Sequence, residues 1–95
     1  MASFGHFRVL YFASAFTMTE REWDDFPAPM SLDDLFRSLE KLYPGIHDRI
    51  LLTSAVTKNL EYVETQQDEG ALSSGGRTLF NQGDEVAIIP PVSSG

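Results

Sequence analysis

The carboxyl group of Gly95 is the candidate reactive group in this sequence. It follows an apolar, largely β-branched run at residues 86–89, which predicts a strand buried on both faces in the interior of a mixed sheet. Pro90 and Pro91 lack a backbone N–H and fix φ, so the chain must leave that strand extended. Glycine has no Cβ, so its carboxyl group can enter a narrow channel and be attacked from either side. We therefore expect residues 92–95 to form a thin functional tail whose terminal carboxylate is used.

The side chains form no recognisable catalytic set. His6 and His47 are isolated in the sequence, which predicts surface or rim positions. The acidic run at residues 20–25 is interrupted by Trp23 and followed by Phe26, a pattern that predicts a strand face exposed to water. The sequence therefore predicts a protein without catalytic side chains or a metal site of its own.

Sulfur chemistry, if the chain performs any, must use the backbone terminus. The sequence contains no cysteine, so it has no disulfide, no thiolate metal site and no side-chain thiol that could carry a persulfide. Ser93 and Ser94 would need a nearby base to act as nucleophiles, and the tail offers none.

Charge and hydropathy narrow the range of partners. The formal net charge is −7 at pH 7, which argues against nucleic acid and anionic membranes and favours a basic protein surface. No apolar run approaches the roughly 20 residues that span a bilayer, and the first residues do not resemble a signal peptide. We expect a cytoplasmic protein.

A central strand and an edge strand are predicted in the first part of the chain. Residues 7–12 are almost entirely apolar, which predicts a central first strand that pairs with the last one, with Arg8 reaching the rim. Residues 13–19 are mostly small or polar and predict a turn. Residues 20–26 predict an acidic edge strand that resists pairing with other chains.

One clear helix should cover the sheet. Ser31 can cap its first turn, followed by Asp33 and Asp34 near the positive end of the helix dipole, and Pro44-Gly45 should end it. The spacing of its apolar residues predicts a single buried face, formed by Leu32, Leu35, Phe36, Leu39 and Leu42.

The second half of the chain predicts a hairpin and a return to the core. Residues 46–52 favour a helical turn followed by extended chain. Two β-rich stretches, 54–57 and 60–63, predict a hairpin around Lys58-Asn59. Polar residues 64–77 predict a surface loop, after which residues 78–80 rejoin the core and residues 81–84 turn into the last strand. The predicted fold is an α+β β-grasp, a mixed sheet with central first and last strands under one main helix, in a single domain at residues 1–91.

Both ends of the sequence resemble a known family. The ending GDEVAIIPPVSSG, residues 83–95, and RVLYFA, residues 8–13, are similar to the small subunit of molybdopterin synthase, a ubiquitin-like sulfur carrier. The family usually ends in Gly-Gly, whereas Ser94 precedes the final glycine here. The resemblance implies that Gly95 is adenylated, thiocarboxylated and used to donate sulfur to a cyclic pterin precursor of the molybdenum cofactor.

The resemblance also implies partners and site residues. The partners are the large synthase subunit, in a heterotetramer of two small and two large subunits, and an E1-like adenylyltransferase and sulfurtransferase. That enzyme uses ATP on Gly95, and the chain binds no permanent cofactor. Val92, Ser93 and Ser94 would line the passage of the tail. The partner surface is expected at Phe12, Ile89, Pro90 and Pro91.

Two alternative functions remain open at this point. A sulfur carrier for thiamine synthesis or tRNA thiolation also ends in glycine. A β-grasp interaction module would bind a partner through its sheet and never activate its terminus.

Overall fold

A parallel pair of strands, the first and the last, organises the sheet. The computed structural model describes residues 5–63 and 78–91. Its five-stranded sheet has the order β2-β1-β7-β4-β5, built from β1 His6–Tyr11, β2 Trp23–Pro27, β4 Ala55–Lys58, β5 Glu61–Val63 and β7 Glu85–Ile89. β1 and β7 are parallel, and the other neighbours are antiparallel. The predicted central first and last strands are confirmed, with β7 in the middle of the sheet.

The main helix covers one face of this sheet. α2 spans Leu32–Leu42, and the Ser31 side chain accepts a hydrogen bond of 3.1 Å from the backbone N–H of Asp34, as predicted. Leu32, Leu35 and Leu39 are buried against the sheet, each contributing roughly 1.5–3 kcal/mol. The core they enter consists of buried side chains from both layers, chiefly Phe7, Val9, Tyr11, Phe26, Ile46, Ile50, Leu51, Val56, Phe80, Val86 and Ile88.

The predicted apolar face of α2 is wrong at its last position. Leu42 is 56% exposed. The helix ends there, and Tyr43 takes its place over the core, with its ring 6.1 Å from that of Tyr11 in an edge-on arrangement. Phe36 is partly buried and packs against the core.

The predicted turn at residues 13–19 is also wrong, because Ser14–Thr19 form the short helix α1. Ala15 and Thr19 lie one turn apart and are both buried. The Thr19 hydroxyl donates to the carbonyl oxygen of Ala15 at 2.9 Å, so its hydrogen bond is made within the helix. The buried face of α1 therefore consists of a small residue and a threonine. Neither residue is strongly apolar, which explains why the pattern did not predict a helix.

The middle of the chain is more compact than predicted. α3, Ile46–Arg49, is the expected helical turn, but Leu51–Thr53 form a 3-10 turn instead of extended chain. Ile50 and Leu51 are both buried, and the Ser54 hydroxyl donates to the Ile50 carbonyl at 2.6 Å, which closes the turn before β4.

The β4–β5 hairpin is confirmed, although its turn is centred on Asn59-Leu60, one residue later than predicted. β6, Leu79–Phe80, pairs with β3, Met30–Ser31, and Phe80 returns to the core as predicted. The turn before β7 is closed by bonds between Asn81 and Asp84. The loop predicted at residues 64–77 lies outside the described residues.

Candidate functional site

The end of β7 is enclosed by its two neighbouring strands. β1 runs parallel to β7, and the backbone N–H of Phe12 donates to the Ile88 carbonyl at 3.2 Å. On the other side, Ala55 is paired with Ile89. Pro90 is buried and Pro91 is exposed, so the chain reaches the surface within two residues of the strand.

The prediction that residues 86–89 are buried on both faces is wrong for Ile89. Val86 and Ile88 are fully buried under α2, but Ile89 is 36% exposed on the opposite face. This face carries no helix in the part of the chain that the structure describes, because α2 lies on the other side of the sheet. The outward side chains of β7 therefore contribute to a surface rather than to a second core.

That surface is a shallow groove of about 350 Å³, which we call the sheet groove. Its lining comes from four adjacent strands and the hairpin turn: Leu10, Phe12, Thr57, Leu60, Tyr62, Glu85, Ala87 and Ile89. The register explains the grouping, since Leu10 is paired with Ala87, Ala87 with Thr57 and Thr57 with Tyr62. Period-two alternation along each strand places these residues on one face.

Apolar side chains dominate the exposed part of the sheet groove. Phe12 is 47% exposed, Leu60 87% and Tyr62 79%. Exposed apolar side chains gathered in one groove mark a surface that a protein partner can cover. The sequence predicted Phe12, Ile89, Pro90 and Pro91 as partner-facing residues. Phe12 and Ile89 line this groove, whereas neither proline lines it and Pro90 is buried. Leu60 and Tyr62 were missed.

The hairpin turn holds Leu60 outward in a conformation unusual for leucine. Asn59 and Leu60 have φ values of 51° and 73°, as a two-residue hairpin turn with both central residues left-handed requires. Asparagine tolerates this region, but leucine does not favour it. A large apolar residue in the second turn position, where glycine is usual, is the sequence signal that could have identified Leu60.

A hydrogen-bond cluster fixes this turn to the start of β7. The Asn59 side chain donates to Asp84 Oδ1 at 3.0 Å and accepts from the backbone N–H of Glu85 at 3.0 Å. Asp84 also accepts from the backbone N–H of Asn81 at 2.7 Å. The hydrogen bond from Asn81, and to a smaller extent that from Asn59, hold the pKa of Asp84 below its usual value. The hairpin therefore keeps Leu60 in a fixed place beside the groove.

A charged border lies along the β1–β2 side of the same face. Arg8 Nε donates to Asp25 Oδ1 at 3.0 Å, and the Arg8 guanidinium lies 4.6 Å from the centre of the Trp23 ring. The hydrogen bond from Arg8 holds the pKa of Asp25 below its usual value. The same hydrogen bond raises the pKa of Arg8, and the charges of Asp25 and of Glu85, which also faces this border, add to that effect. The apolar groove is thus bordered by side chains that pair with one another.

The water-facing prediction for the acidic run is wrong at Asp24. Its Oδ2 atom accepts hydrogen bonds from the hydroxyl groups of Tyr11 at 2.9 Å and Tyr43 at 2.5 Å, and its Oδ1 atom lies 2.7 Å from Arg21 Nε. Burial, together with the bond to Asp24, raises the pKa of Tyr43 to about 12 and also raises that of Tyr11. This cluster ties the edge strand β2 to the end of α2 and has a structural role.

The two histidines lie apart, as expected. His6 is exposed at the start of β1, while His47 is half-buried in the helical layer, where its ring lies 6.1 Å from that of Phe36. Glu40 accepts from the backbone N–H groups of Gly45 at 2.8 Å and His47 at 3.0 Å, and these bonds hold its pKa below the usual value. Within residues 5–63 and 78–91, no group of three or more potential metal ligands comes together.

Val92, Ser93, Ser94 and Gly95 lie outside the described residues. The described helices include none long and apolar enough to cross a membrane.

Comparisons with known proteins agree on one family. The ThiS family matches residues 9–95. The molybdopterin synthase sulfur carrier subunit of Phaeosphaeria nodorum is 47% identical to this chain, over 96% of the chain and 92% of the relative.

Two solved structures share the fold. Small archaeal modifier protein 1 from Methanosarcina acetivorans has a TM-score of 0.71 at 19% identity, covering 99% of this chain and 100% of its own. A complex of subunits 1 and 2 of molybdopterin-converting factor from Helicobacter pylori contains a chain with a TM-score of 0.61 at 20% identity, covering 95% of this chain and 99% of its own. These two similarities concern the β-grasp fold.

Proposed function

This chain belongs to the ThiS family, among the sulfur carrier subunits of molybdopterin synthase, and we propose that it carries sulfur as a thiocarboxylate on Gly95. The observation that supports this site is the position of the strand that precedes the tail. β7 occupies the centre of the sheet, and its end leads through Pro90 and Pro91 directly to the surface beside the sheet groove. A rigid central strand is a fixed base from which a short tail can be directed into a partner.

The proposed chemistry requires activation by another protein. A carboxylate is a poor electrophile, so an E1-like enzyme first uses ATP to convert Gly95 to an acyl adenylate with release of pyrophosphate. The terminal sulfur of an enzyme persulfide then attacks the acyl carbon and displaces AMP, which gives an acyl disulfide. A second thiol attacks the enzyme's sulfur in that disulfide, so a new disulfide forms and Gly95 is released as the thiocarboxylate. The chain contributes no catalytic side chain and no resident cofactor, and it serves as a co-substrate.

The sheet groove is the proposed docking site for the large subunit of the synthase. Phe12 and Ile89 lie at the end of the groove where β7 leads into Pro90, and Leu60 and Tyr62 extend it across the hairpin. An apolar centre with a charged border is the usual composition of a protein interface. The net charge of −7 would accelerate association with a basic partner. The neighbour from Helicobacter pylori is named as a complex of two subunits, and we propose a heterotetramer of two small and two large subunits here.

The tail residues have complementary proposed roles. Pro90 and Pro91 restrict the direction in which the tail leaves, which reduces the entropy lost on insertion. Val92, Ser93 and Ser94 are small enough to pass through a narrow channel, and Gly95 presents the reactive carbon.

Reconstituted sulfur transfer tests the proposed function. The thiocarboxylated chain, mixed with purified large subunit and the pterin precursor, should yield the dithiolene product. The same thiocarboxylated chain, mixed with the acceptor enzymes of thiamine synthesis or tRNA thiolation, should yield no product of those enzymes. Product formation with either of those acceptors but not with the large subunit would overturn the assignment of the pathway.

A further inference from the structure

Two exposed apolar side chains flank the end of β7, one on each side, and neither lines the sheet groove. Phe16 in α1 is 46% exposed and Leu52 in the 3-10 turn is 57% exposed. We propose that Phe16 and Leu52 contact the large subunit around the opening that receives residues 92–95. We call these two residues the exit rim. This inference rests on the proposed function and extends its docking surface from the face of the sheet to the end of the domain.

The strand topology places both residues at the same end of the molecule. β1 is parallel to β7, so the element that follows β1 begins where β7 ends. The backbone N–H groups of Ala15 and Phe16 are both directed at the Phe12 carbonyl, at 2.9 and 3.4 Å. Phe16 therefore lies in the first turn of α1, directly after Phe12 and the end of β1.

Leu52 reaches this end from the opposite side of β7. β4 is antiparallel to β7, so the element that precedes β4 lies at the end of β7, where Ala55 is paired with Ile89. The 3-10 turn Leu51–Thr53 ends two residues before Ala55. Leu51 of this turn is buried in the core while Leu52 remains exposed, so the turn is anchored at one residue and presents the next to solvent.

The backbone before α1 supports a functional reason for this arrangement. Ala13 has φ 52° and ψ −128°, a conformation that glycine adopts far more easily than alanine. Such strained residues occur preferentially next to functional surfaces. The strained residue lies between Phe12 and α1, so it sets the direction in which α1 and Phe16 leave β1.

The length of the tail requires contact at this end. Residues 92–95 can span at most about 14 Å, which is the length of four fully extended residues. For Gly95 to reach a reactive centre inside the large subunit, the opening of that subunit must approach Pro91 within this distance. Phe16 follows Phe12 in the chain by one turn, and Leu52 lies three residues before Ala55, the residue paired with Ile89, so the exit rim adjoins the end of β7 from both sides. Covering such exposed apolar side chains on association is favourable in proportion to the apolar area removed from water.

The test compares charged substitutions at matched exposure. Phe16→Glu and Leu52→Glu are made in the full chain, with Leu79→Glu as the control. Leu79 is 50% exposed but precedes the Asn81–Asp84 turn, and its carbonyl accepts from Lys58, which is paired with Val86 at the start of β7. The control therefore lies at the opposite end of β7. Binding of each variant to purified large subunit is measured by isothermal titration calorimetry.

We expect Phe16→Glu and Leu52→Glu each to weaken binding about tenfold or more, while Leu79→Glu stays within about twofold of the unchanged chain. Circular dichroism melting establishes that each variant is folded, and Phe16→Ala and Leu52→Ala replace any glutamate variant that is not. Binding within about twofold of the unchanged chain by either rim variant overturns the exit rim. An unchanged chain that fails to bind the large subunit would instead count against the proposed function, so the two failures are distinguishable.

Discussion

Replacing Leu60 by glycine should stabilise the fold and weaken docking at the same time. Leu60 has φ 73° and is 87% exposed, so it strains the backbone and gains little from burial. The left-handed conformation costs a residue with a Cβ roughly 1–2 kcal/mol. Glycine removes that cost, but it loses more conformational freedom on folding, which destabilises the folded state by about 0.5–1 kcal/mol.

The net expectation for Leu60→Gly is a gain of about 0.5–1 kcal/mol in the free energy of unfolding, or a rise of roughly 2–6 °C in the midpoint of thermal unfolding. Leu79→Gly is the matched control, because Leu79 is also exposed but lies in a strand with negative φ. There the same substitution should lower the midpoint. Both variants are measured by differential scanning calorimetry.

Binding supplies the second half of this prediction. If Leu60 is held in a strained turn for docking, Leu60→Gly should weaken binding to the large subunit about tenfold, measured by isothermal titration calorimetry. A lower unfolding midpoint for Leu60→Gly would show that the side chain serves folding. A higher midpoint with unchanged affinity would refute the role of Leu60 in the sheet groove.

Three further predictions concern titration and the tail. The pKa of Tyr43 is raised to about 12 from its ordinary value of 10.0, which contributes stability that is present below about pH 10 and is lost as the pH rises toward 12. Tyr43→Phe should therefore reduce the loss of stability over this pH range, measured by urea unfolding. The lowered pKa of Glu40 contributes stability above its ordinary value of 4.5 that is lost at lower pH, so Glu40→Gln should flatten the acid side of the stability profile; an unchanged slope would contradict this. Ser94→Gly should leave the unfolding midpoint unchanged, and a large increase in the rate of thiocarboxylation would show that serine hinders entry of the tail.

The sequence predicted the parts of the fold that rest on strong local chemistry. Ser31 with two following acids marked the start of α2, and the β-branched run before Pro90 marked the last strand. The first strand was predicted beside it because it too is almost wholly apolar. These signals depend only on hydrophobicity and capping, so they are readable without knowledge of neighbours.

The missed features depend on partners distant in sequence. Asp24 and Phe26 are two residues apart in β2, so they lie on the same face of the strand, and a buried Phe26 implies that Asp24 also points inward. The hydrogen bonds that Asp24 accepts from Tyr11 and Tyr43 depend on the position of α2, which the sequence of β2 does not contain. The exposure of Ile89 follows from the absence of a second helical layer over the described sheet. A β-branched run does not distinguish a strand covered on both faces from one that presents an apolar docking surface.

The candidate site was predicted in part. Phe12 and Ile89 were named from the family resemblance and line the same groove, while their role in binding stays a prediction. Leu60 and Tyr62 were missed because the hairpin brings them beside β7 across the sheet. Residues 92–95, which carry the proposed chemistry, are assigned from the sequence alone.

The central claim is that Gly95 receives the sulfur, and intact mass spectrometry tests it most directly. The chain is incubated with the activating enzyme, ATP and a sulfur source, beside a variant that lacks Gly95. The full chain should gain the mass difference between a sulfur and an oxygen atom, and the shortened variant should gain nothing while melting at the same temperature. A full chain that stays unchanged, with an activating enzyme shown to work on another carrier, or a shortened variant that gains the same mass, would contradict the account.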